Sequence, residues 1–420
     1  MRLRWRLPVV LTACVVAAQF FPLSPLVDVV TWTAPRSARL SYPVAHVVFA
    51  PFTLLADWLN GGSRRDLIGF GVWAVVTYVL VRLAVSGVPP ARRALRETAY
   101  AAVLVLGLAA FVAWGYWMQR PIPRLVASDP DALVLDVHSH TALSHDGRPG
   151  FGAAQNAEWH ARAGFDVAFL TDHNVFGAVM VWRRESAGRR PRLLDGEEVS
   201  LSGIHLLTLG ISAVVPHQPY DASWDSTGAL IRRLHADSIF LVPTLPEDWR
   251  NHTGAEFGQL SEWGVDGFEI WTTSPQAMDL PPSARRTVIS WSRLENRPMF
   301  GSTDMHGYGN AATVWNVVRL PGWRALGDST LTRALIGHWR AGGVASNQVV
   351  ALHRWLPETR LGSAFSVPVN LVLLLRTASR PHGVLLLGWI WLIALAASRR
   401  GGAPANLSSV SDSPPPTPGS

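Results

Sequence analysis

The chain has 420 residues, of which 48% are hydrophobic and only 16% charged, and its net charge is +7. This composition excludes a disordered or collagen-like chain and is too apolar for a purely soluble domain. All of the lysine-plus-arginine charge comes from arginine, scattered rather than clustered beside aromatic residues, so no nucleic acid partner is expected. The single cysteine, Cys14, excludes a disulfide framework and a cysteine metal site.

Residues 1–127 are predicted to form a membrane region with about three or four helices. An apolar run at 7–30 follows a basic start, and we expect one anchor helix that ends near Phe21. A cleaved secretory signal is the alternative, because a basic start before a short apolar core has the same layout. The runs 67–85 and 99–118 are each long enough to cross a bilayer.

The apolar run 44–59 decides the predicted topology. It contains His46, Pro51 and Asp57 and is short for a span, so it either crosses the bilayer or lies in its interface. If it does not cross, the basic start, the arginine-rich loop at 92–96 and the basic end at 399–400 are all cytoplasmic, and the central domain is extracytoplasmic. If it crosses, the central domain is cytoplasmic. The charge bias favours the extracytoplasmic arrangement.

The segment 351–400 is predicted to be a second membrane region with one or two helices. The run 383–397 is apolar and is followed by two arginines, whereas 365–375 is short for a span. Residues 401–420 are rich in Pro, Ser and Gly, and we expect a disordered tail. The protein is therefore expected at the cell membrane, as a multi-pass protein in contact with the lipid bilayer.

Short apolar runs alternate with helical patterns in a central domain that spans residues 128–350. Two of the helical patterns are at 153–163 and 227–236. This alternation predicts an α/β fold with a parallel sheet or barrel, in which catalytic residues gather at the carboxyl ends of the strands. The predicted strands are 133–137, 167–170, 193–199, 205–211, 239–242, 267–271 and 298–301.

Ionisable residues follow most of these predicted strands. His138 and His140 are two residues apart, so both imidazoles face one side of the sheet and can chelate one ion. A single histidine near a strand end is usually a surface or hydrogen-bonded residue. The recurrence of histidines beside carboxylates, however, is typical of two or three divalent ions such as Mn, Zn or Fe, which promote hydrolysis. The other strand-end candidates are His145, Asp146, His173, Glu198, His205, Glu269, Asp304 and His306.

Several of these motifs resemble those of the polymerase and histidinol phosphatase (PHP) superfamily. The matching segments are, in order, Asp136-Val137-His138-Ser139-His140-Thr141, Thr171-Asp172-His173-Asn174, Gly196-Glu197-Glu198, His205 and Gly301-Ser302-Thr303-Asp304-Met305-His306. The resemblance implies a distorted seven-stranded (β/α) barrel of the TIM type, a site for two or three metal ions and phosphoesterase activity. It also implies metal ligands at His138, His140, His173, Glu198, His205, Asp304 and His306, and catalytic roles for His138, His140, His173, Asp304 and His306.

The sequence departs from the family pattern at two places. Where the family has an aspartate, this chain has His145 and then Asp146, and the register favours His145 as the ligand. Leu245 stands where the family has a histidine, which weakens or removes one metal position. Glu247 or His252 in the following loop is a candidate to compensate. Glu269 falls where the family often has a carboxylate or another polar residue.

An arginine is expected to hold the oxygens of a small phosphorylated substrate, and the loop residues Arg148 and Arg250 are candidates. The sequence therefore predicts a membrane-anchored, metal-dependent phosphoesterase that uses a metal-activated water. One alternative is a degenerate barrel that binds a metal or an anion without turnover, as a sensor or accessory domain, because of Leu245. Another is a transporter with an accessory barrel, although the predicted membrane helices carry almost no ionisable residues. Substrate identity and oligomeric state stay open.

Overall fold

The computed structural model describes residues 2–86, 91–185, 191–201, 203–244 and 254–400. The predicted tail at 401–420 lies outside the described residues, as does the segment 245–253, which contains Leu245, Glu247, Arg250 and His252. The described chain is a mixed α/β structure in which a large sheet packs beside a group of apolar helices.

The elements are numbered in chain order. The helices are α1 (Arg2–Phe20), α2 (Val44–Val48), α3 (Ala50–Asn60), α4 (Arg64–Ser86), α5 (Ala91–Trp117), α6 (Ala153–Ala163), α7 (Ala178–Glu185), α8 (Trp224–Ala236), α9 (Gly254–Trp263), α10 (Pro282–Leu294), α11 (Asp328–Gly342), α12 (Arg360–Ala364), α13 (Ser366–Thr377) and α14 (Arg380–Arg400). The strands are β1 (Leu26–Asp28), β2 (Ala38–Ser41), β3 (Arg124–Ala127), β4 (Ala132–Ser139), β5 (Val167–Leu170), β6 (Arg192–Leu201), β7 (Ile204–Leu209), β8 (Phe240–Pro243), β9 (Phe268–Thr272), β10 (Met299–Ser302), β11 (Val314–Arg319) and β12 (Gln348–Leu352).

The central sheet has eight strands in the order β1-β12-β11-β4-β5-β6-β7-β8. Within it β4, β5 and β6 pair in parallel, and the other neighbours are antiparallel. β9 and β10 form a separate parallel pair. The two residues between β6 and β7 allow only a hairpin, because parallel strands need a longer crossover. Among the described residues the sheet does not close on itself, so the predicted (β/α) barrel is not confirmed.

The central strands are buried on both faces. β4 is buried along its whole length, with Leu133, Leu135 and Val137 in one apolar cluster and Val134 in another. Trp339 of α11 is also fully buried against the first of these clusters. Close packing on both faces holds the strand ends in fixed positions, which a site built from those ends requires.

Three helices are long and apolar enough to cross a bilayer. Their apolar stretches are Arg64–Leu83 of α4, Ala94–Trp117 of α5 and Arg380–Ser398 of α14. Only 11%, 6% and 11% of the residues in the most apolar part of each stretch are buried. Apolar helices that the chain leaves uncovered need a membrane or a partner to cover them. The predicted spans at 67–85, 99–118 and 383–397 all fall on these helices. The apolar part of α1, Trp5–Phe20, is shorter, and α1 ends close to the predicted Phe21.

The segment 44–59 forms two short helices instead of one span. α2 and α3 meet at Phe49, and most residues of α3 are buried. With 11 residues, α3 is about 16 Å long, roughly half of the hydrocarbon core of a bilayer. Its length therefore fits the prediction in which this segment does not cross.

Residues between α1 and α2 contribute strands to the central domain. Leu26 of β1 pairs with Leu352 of β12, and Ala38 of β2 pairs with Ala127 of β3. In this part of the region predicted to be membrane-associated, β1 therefore joins the edge of the central sheet, and β2 forms a separate two-stranded sheet with β3.

Helix α1 packs antiparallel to α14. Trp5 stacks on Trp391 with 6.1 Å between the ring centroids, and the other end of α1 places Gln19 beside Gly383. The Gln19 amide also donates to the carbonyl of Leu375 at 2.9 Å. The start of α1 and the end of α14 therefore lie at the same end of this helix pair.

Candidate metal centre

The predicted histidines and carboxylates come together at the ends of the sheet strands. His138 is the second-last residue of β4 and His140 follows the strand directly. Two backbone bridges, Ser139 to Met305 and His173 to Glu198, join the segments that carry the other candidates. The chain therefore brings residues from four distant motifs to one edge.

Four side-chain atoms converge on a common point. Nε2 of His138 lies 2.9 Å from Nε2 of His140 and 2.9 Å from Oε2 of Glu198. Oδ1 of Asp304 lies 3.3 Å from the first imidazole nitrogen and 3.2 Å from the second. Ligands held at roughly 2.05 Å from a tetrahedral ion are about 3.3 Å apart. The four atoms thus have the spacing of a first coordination shell, and imidazole with carboxylate suits Mn, Zn or Fe.

A second group of donor atoms adjoins the first. Nε2 of His173 lies 3.4 Å from both Glu198 and Asp146, and Nε2 of His306 lies 3.0 Å from Asp146. Nδ1 of His205 lies 2.9 Å from Oε1 of Glu198. Glu198 contacts both groups of donors, as a carboxylate shared by two ions does. The arrangement therefore has donors for more than one ion.

The imidazole nitrogens that face away from the cluster have hydrogen-bonding partners of their own. Nδ1 of His140 contacts the hydroxyl of Ser144 at 3.2 Å, and Nδ1 of His173 contacts that of Ser200 at 3.1 Å. Such outer partners set the orientation of a metal-binding ring and leave the other nitrogen free for the ion.

Glu269, predicted as a ligand, lies behind His138 rather than beside the converging atoms. Its Oε1 is 3.1 Å from Nδ1 of His138 and accepts a hydrogen bond from Ser302. Among the described residues it belongs to none of the groups whose donor atoms lie close enough to share an ion. Its Oε2 is buried without a hydrogen-bond partner, and burial raises the pKa of the carboxyl. The geometry makes Glu269 an orienting partner of His138.

The charges of the cluster are strongly coupled. Burial disfavours the charged form of His138, but Glu198 and Asp304 outweigh burial and raise its pKa. Burial also opposes ionisation of Asp304, yet His306 and His138 lower its pKa. For His306, burial is outweighed by Asp304 and Asp146, and its pKa rises to about 9. Ionised carboxylates are the form that binds cations, and an incoming ion displaces the imidazolium protons.

Both residues of the pair at 145–146 lie at the site. Asp146 contacts His173 and His306 directly, and their hydrogen bonds outweigh burial and lower its pKa. His145 is exposed, and its ring centroid lies 5.0 Å from that of His173. The direct contacts favour Asp146, and the donor atoms of His145, Asp146 and His173 lie close enough together to share an ion, so both residues stay candidate ligands.

Backbone strain marks the segment that carries Asp304. This residue has a φ of +49°, a conformation rare for residues with a side chain, and its N–H donates to the carbonyl of His138 at 3.0 Å. Strained residues persist where the surrounding structure holds them, and they cluster at functional sites.

The donors open into a pocket with about 1360 Å³ of empty space, counting the part open to solvent. We call it the metal pocket. Its lining includes Asp146, His173, Glu198, His205, Asp304, His306, the polar residues Thr273, Ser274 and Gln276, and two residues from the apolar helices, Asn60 and Tyr116. Arg148, predicted to hold phosphate, lines the neighbouring groove and donates to the carbonyl of Gly307 at 3.3 Å.

The roles of three residues of the site, Asp136, Asn60 and Tyr116, were not predicted from the sequence. Oδ2 of Asp136 is 3.0 Å from Nε2 of His160 and accepts from the hydroxyl of Thr303, which ties β4 to the segment that carries Asp304. The position of Asp136, two residues before His138 on the same face of β4, was the available signal. Asn60 and Tyr116 line the metal pocket, and nothing near them in sequence indicates this.

No protein-family model and no curated protein sequence matches the chain. A Bifidobacterium adolescentis protein, named provisionally as a metal-dependent phosphoesterase, is 14% identical with a TM-score of 0.34, covering 42% of this chain and 88% of that one. PsfC from Pseudomonas syringae is 15% identical with a TM-score of 0.36, covering 57% and 97%. An amidohydrolase from Chromobacterium violaceum is 16% identical with a TM-score of 0.31, covering 45% and 92%. Scores this low carry no argument, so function is argued from the site.

Proposed function

We propose that the protein is a membrane-anchored, metal-dependent phosphoesterase. The observation that carries the proposal is the convergence of His138, His140, Glu198 and Asp304 at the spacing of a coordination shell. The second donor group beside it supports two or three divalent ions, with Mn, Zn and Fe as the candidates. The resemblance of the motifs to the PHP superfamily favours a phosphate ester as the bond that is hydrolysed.

Different residues have different roles in the proposed hydrolysis. Divalent ions bound to these donors would polarise a phosphoryl oxygen and lower the pKa of a water molecule. Glu269 and the hydroxyls of Ser144 and Ser200 hold the imidazoles so that their donor atoms face the ions. Ser274 and Gln276 line the metal pocket and offer neutral hydrogen-bond donors for phosphate oxygens.

The central domain is proposed to lie on the extracytoplasmic side of the membrane. Two observations support this: α3 is too short to cross, and α1 runs antiparallel to α14, which brings the basic start and basic end of the chain to one side. The test is a Cys14→Ser chain with a new cysteine at exposed Leu294. An impermeant thiol reagent should label it in intact cells, and labelling only after lysis would overturn the proposed side.

A metal-binding domain without turnover is the second candidate. It is favoured by Leu245, which stands where the resemblance expects a histidine ligand and leaves one donor fewer. It differs from the first candidate in predicting bound metal without product.

The deciding experiment uses the full chain in detergent with Mn, Zn or Fe and a chromogenic phosphomonoester and phosphodiester. Asp304→Asn is the informative variant, because asparagine tolerates the positive φ of this residue but carries no charge for an ion. Leu294→Ser, on an exposed residue of α10, is the matched control. Metal-dependent hydrolysis that Asp304→Asn abolishes supports the phosphoesterase. A folded, metal-loaded chain that releases no product favours the second candidate.

A further inference from the structure

The metal pocket has two walls of different origin. The ligands and the polar residues at 273–276 come from the central domain, whereas Asn60 is the last residue of α3 and Tyr116 the second-last residue of α5. We propose that the substrate is a membrane lipid whose phosphorylated headgroup enters this pocket from the bilayer. The proposal rests on the phosphoesterase function proposed above and names its substrate class.

The segment after the ligand His306 is fixed to the ends of these helices. The side-chain oxygen of Asn60 accepts from the N–H of Asn310 at 2.7 Å. The amide of Asn310 donates to the carbonyls of Gly115 at 3.1 Å and Tyr116 at 3.0 Å, and Gly309 N–H donates to Tyr116 at 3.0 Å. The three hydrogen bonds made by the side chains of Asn60 and Asn310 are buried or partly buried. The ligands are therefore held at a set distance from the end of α5.

The position of the carboxyl end of α5 indicates the level of the pocket relative to a bilayer. The apolar stretch of α5 runs from Ala94 to Trp117, so Tyr116 lies within one residue, about 1.5 Å along the axis, of its end. The end of a span, especially one with Tyr and Trp, lies at the level of the lipid headgroups. The pocket that Tyr116 lines is thus next to the layer in which lipid phosphates lie.

Exposed side chains with large apolar surface lie on the segments that form the polar pocket. Tyr308 lines it and is 47% exposed, and Leu143, in the turn just before the one that carries His145 and Asp146, is 53% exposed. Trp117 is 58% exposed at the end of α5. A soluble phosphate ester gains nothing from apolar groups around its entrance, whereas the glycerol and acyl portions of a lipid do.

The reaction is a hydrolysis that needs water as its only co-reactant. A water oxygen attacks phosphorus, the P–O bond to the alcohol breaks, and the alcohol leaves with a proton that originates from the water. With phosphatidate as substrate the products are diacylglycerol and inorganic phosphate, and the atoms balance.

The test uses the full chain reconstituted with manganese in phosphatidylcholine vesicles. Two matched pairs separate a lipid from a soluble ester with the same headgroup: dioleoyl phosphatidate against glycerol 3-phosphate, and dioleoyl phosphatidylglycerol against glycerophosphoglycerol. We expect the lipid of at least one pair to be hydrolysed with a kcat/KM about tenfold or more above its soluble partner, because the bilayer raises its local concentration at the pocket. Diluting that lipid in the membrane at constant bulk concentration should lower the rate in proportion.

A pair of leucine variants checks the entrance. Leu143→Ser should lower turnover of the bilayer-borne lipid more than turnover of its soluble partner, because it removes an exposed apolar side chain close in sequence to Asp146, which lines the pocket. Leu294→Ser removes a leucine that is 72% exposed on α10, near the opposite ends of the strands, and should change neither rate. An equal loss for both substrates in Leu143→Ser would contradict a membrane-facing entrance.

The outcomes distinguish the two proposals. Soluble esters hydrolysed as well as their lipid partners, with no effect of dilution in the membrane, would overturn the lipid substrate and leave the phosphoesterase standing. If the chain hydrolyses none of the four compounds and no chromogenic phosphate ester, the phosphoesterase fails and the lipid substrate fails with it.

Discussion

Two clusters of buried ionisable side chains satisfy their charges in different ways. In the metal cluster (His138, His140, Glu198 and Asp304), the donor atoms point at one another around a common point. In the second, the junction cluster (His46, Asp57, Arg120 and His382), positive and negative groups face each other. Arg120 lies 2.5 Å and His46 2.8 Å from the two oxygens of Asp57.

The difference separates a site whose carboxylates face imidazoles, which can give up their protons to an ion, from one whose carboxylate is paired with a permanently charged guanidinium. An incoming ion can replace the imidazolium protons of the metal cluster, whereas the guanidinium of the junction cluster keeps its charge and its partner. The junction cluster also connects elements, because His46 contacts His382 at 3.0 Å and so joins α2 to α14. We therefore assign chemistry to the first cluster and attachment of the apolar helices to the second.

The largest expected effect is on activity, in the metal cluster. His140→Ala removes one converging donor, and turnover should fall by more than the roughly 100-fold that loss of an outer partner costs. The measurement is phosphate release with saturating metal, with circular dichroism to verify the fold. Retained turnover in a folded variant would show that the metal cluster is not required for catalysis.

The next effect is on stability, in the junction cluster. Arg120→Met leaves the buried Asp57 without its guanidinium, and the free energy of unfolding should fall by about 3–5 kcal/mol. Denaturant titration in detergent measures the loss, and the double variant Arg120→Met with Asp57→Leu should recover much of it. If the single variant loses no stability, the two clusters do not differ as described.

Metal removal should affect only one of the two clusters. An ion at 100 times its dissociation constant stabilises the folded chain by about 2.7 kcal/mol, so chelation should lower the free energy of unfolding by that order. The loss caused by Arg120→Met should be the same with and without chelator, since the clusters share no residue. A loss that depends on metal would show that the clusters are coupled.

The smallest effect concerns Glu197, the buried neighbour of Glu198. Its Oε2 accepts from the N–H of Val215 at 2.8 Å, but burial dominates and raises its pKa to about 7. Because this folded value exceeds the unfolded one, the contribution of Glu197 to stability is fully present below pH 4.5 and is lost between pH 4.5 and 7.

Glu197→Gln should remove this dependence and make the variant more stable than the wild type above pH 7, by up to about 3 kcal/mol. Unfolding measured at pH 5 and pH 8 with metal present gives the comparison. Identical pH slopes for the two proteins would show that burial does not raise this pKa.

Local patterns predicted the elements that carry the site. β5 was predicted at its observed bounds, α6 likewise, and β8 and β10 within one residue at each end. These segments have strong apolar periodicity and clear boundaries, so the local sequence signal and the tertiary structure agree there. The antiparallel strands β11 and β12 were missed, because no ionisable motif marked them and their pairing depends on distant partners.

The sequence predicted which residues belong to the site but not how their side chains contact one another. Spacing placed His138 and His140 on one face, but only the fold shows that Glu269 contacts the outer nitrogen of His138. Asn60 and Tyr116 come from helices whose sequence reports only hydrophobicity, so their place in the metal pocket depends on how those helices pack.

Metal content per chain tests the central claim most directly. The full chain, purified in detergent and dialysed against trace divalent metals, is analysed by elemental mass spectrometry beside Glu198→Gln, the residue that contacts both donor groups. We predict at least one tightly held Mn, Zn or Fe per wild-type chain and a marked loss in the variant. A folded wild-type chain without bound metal, or equal metal in both proteins, would contradict the account.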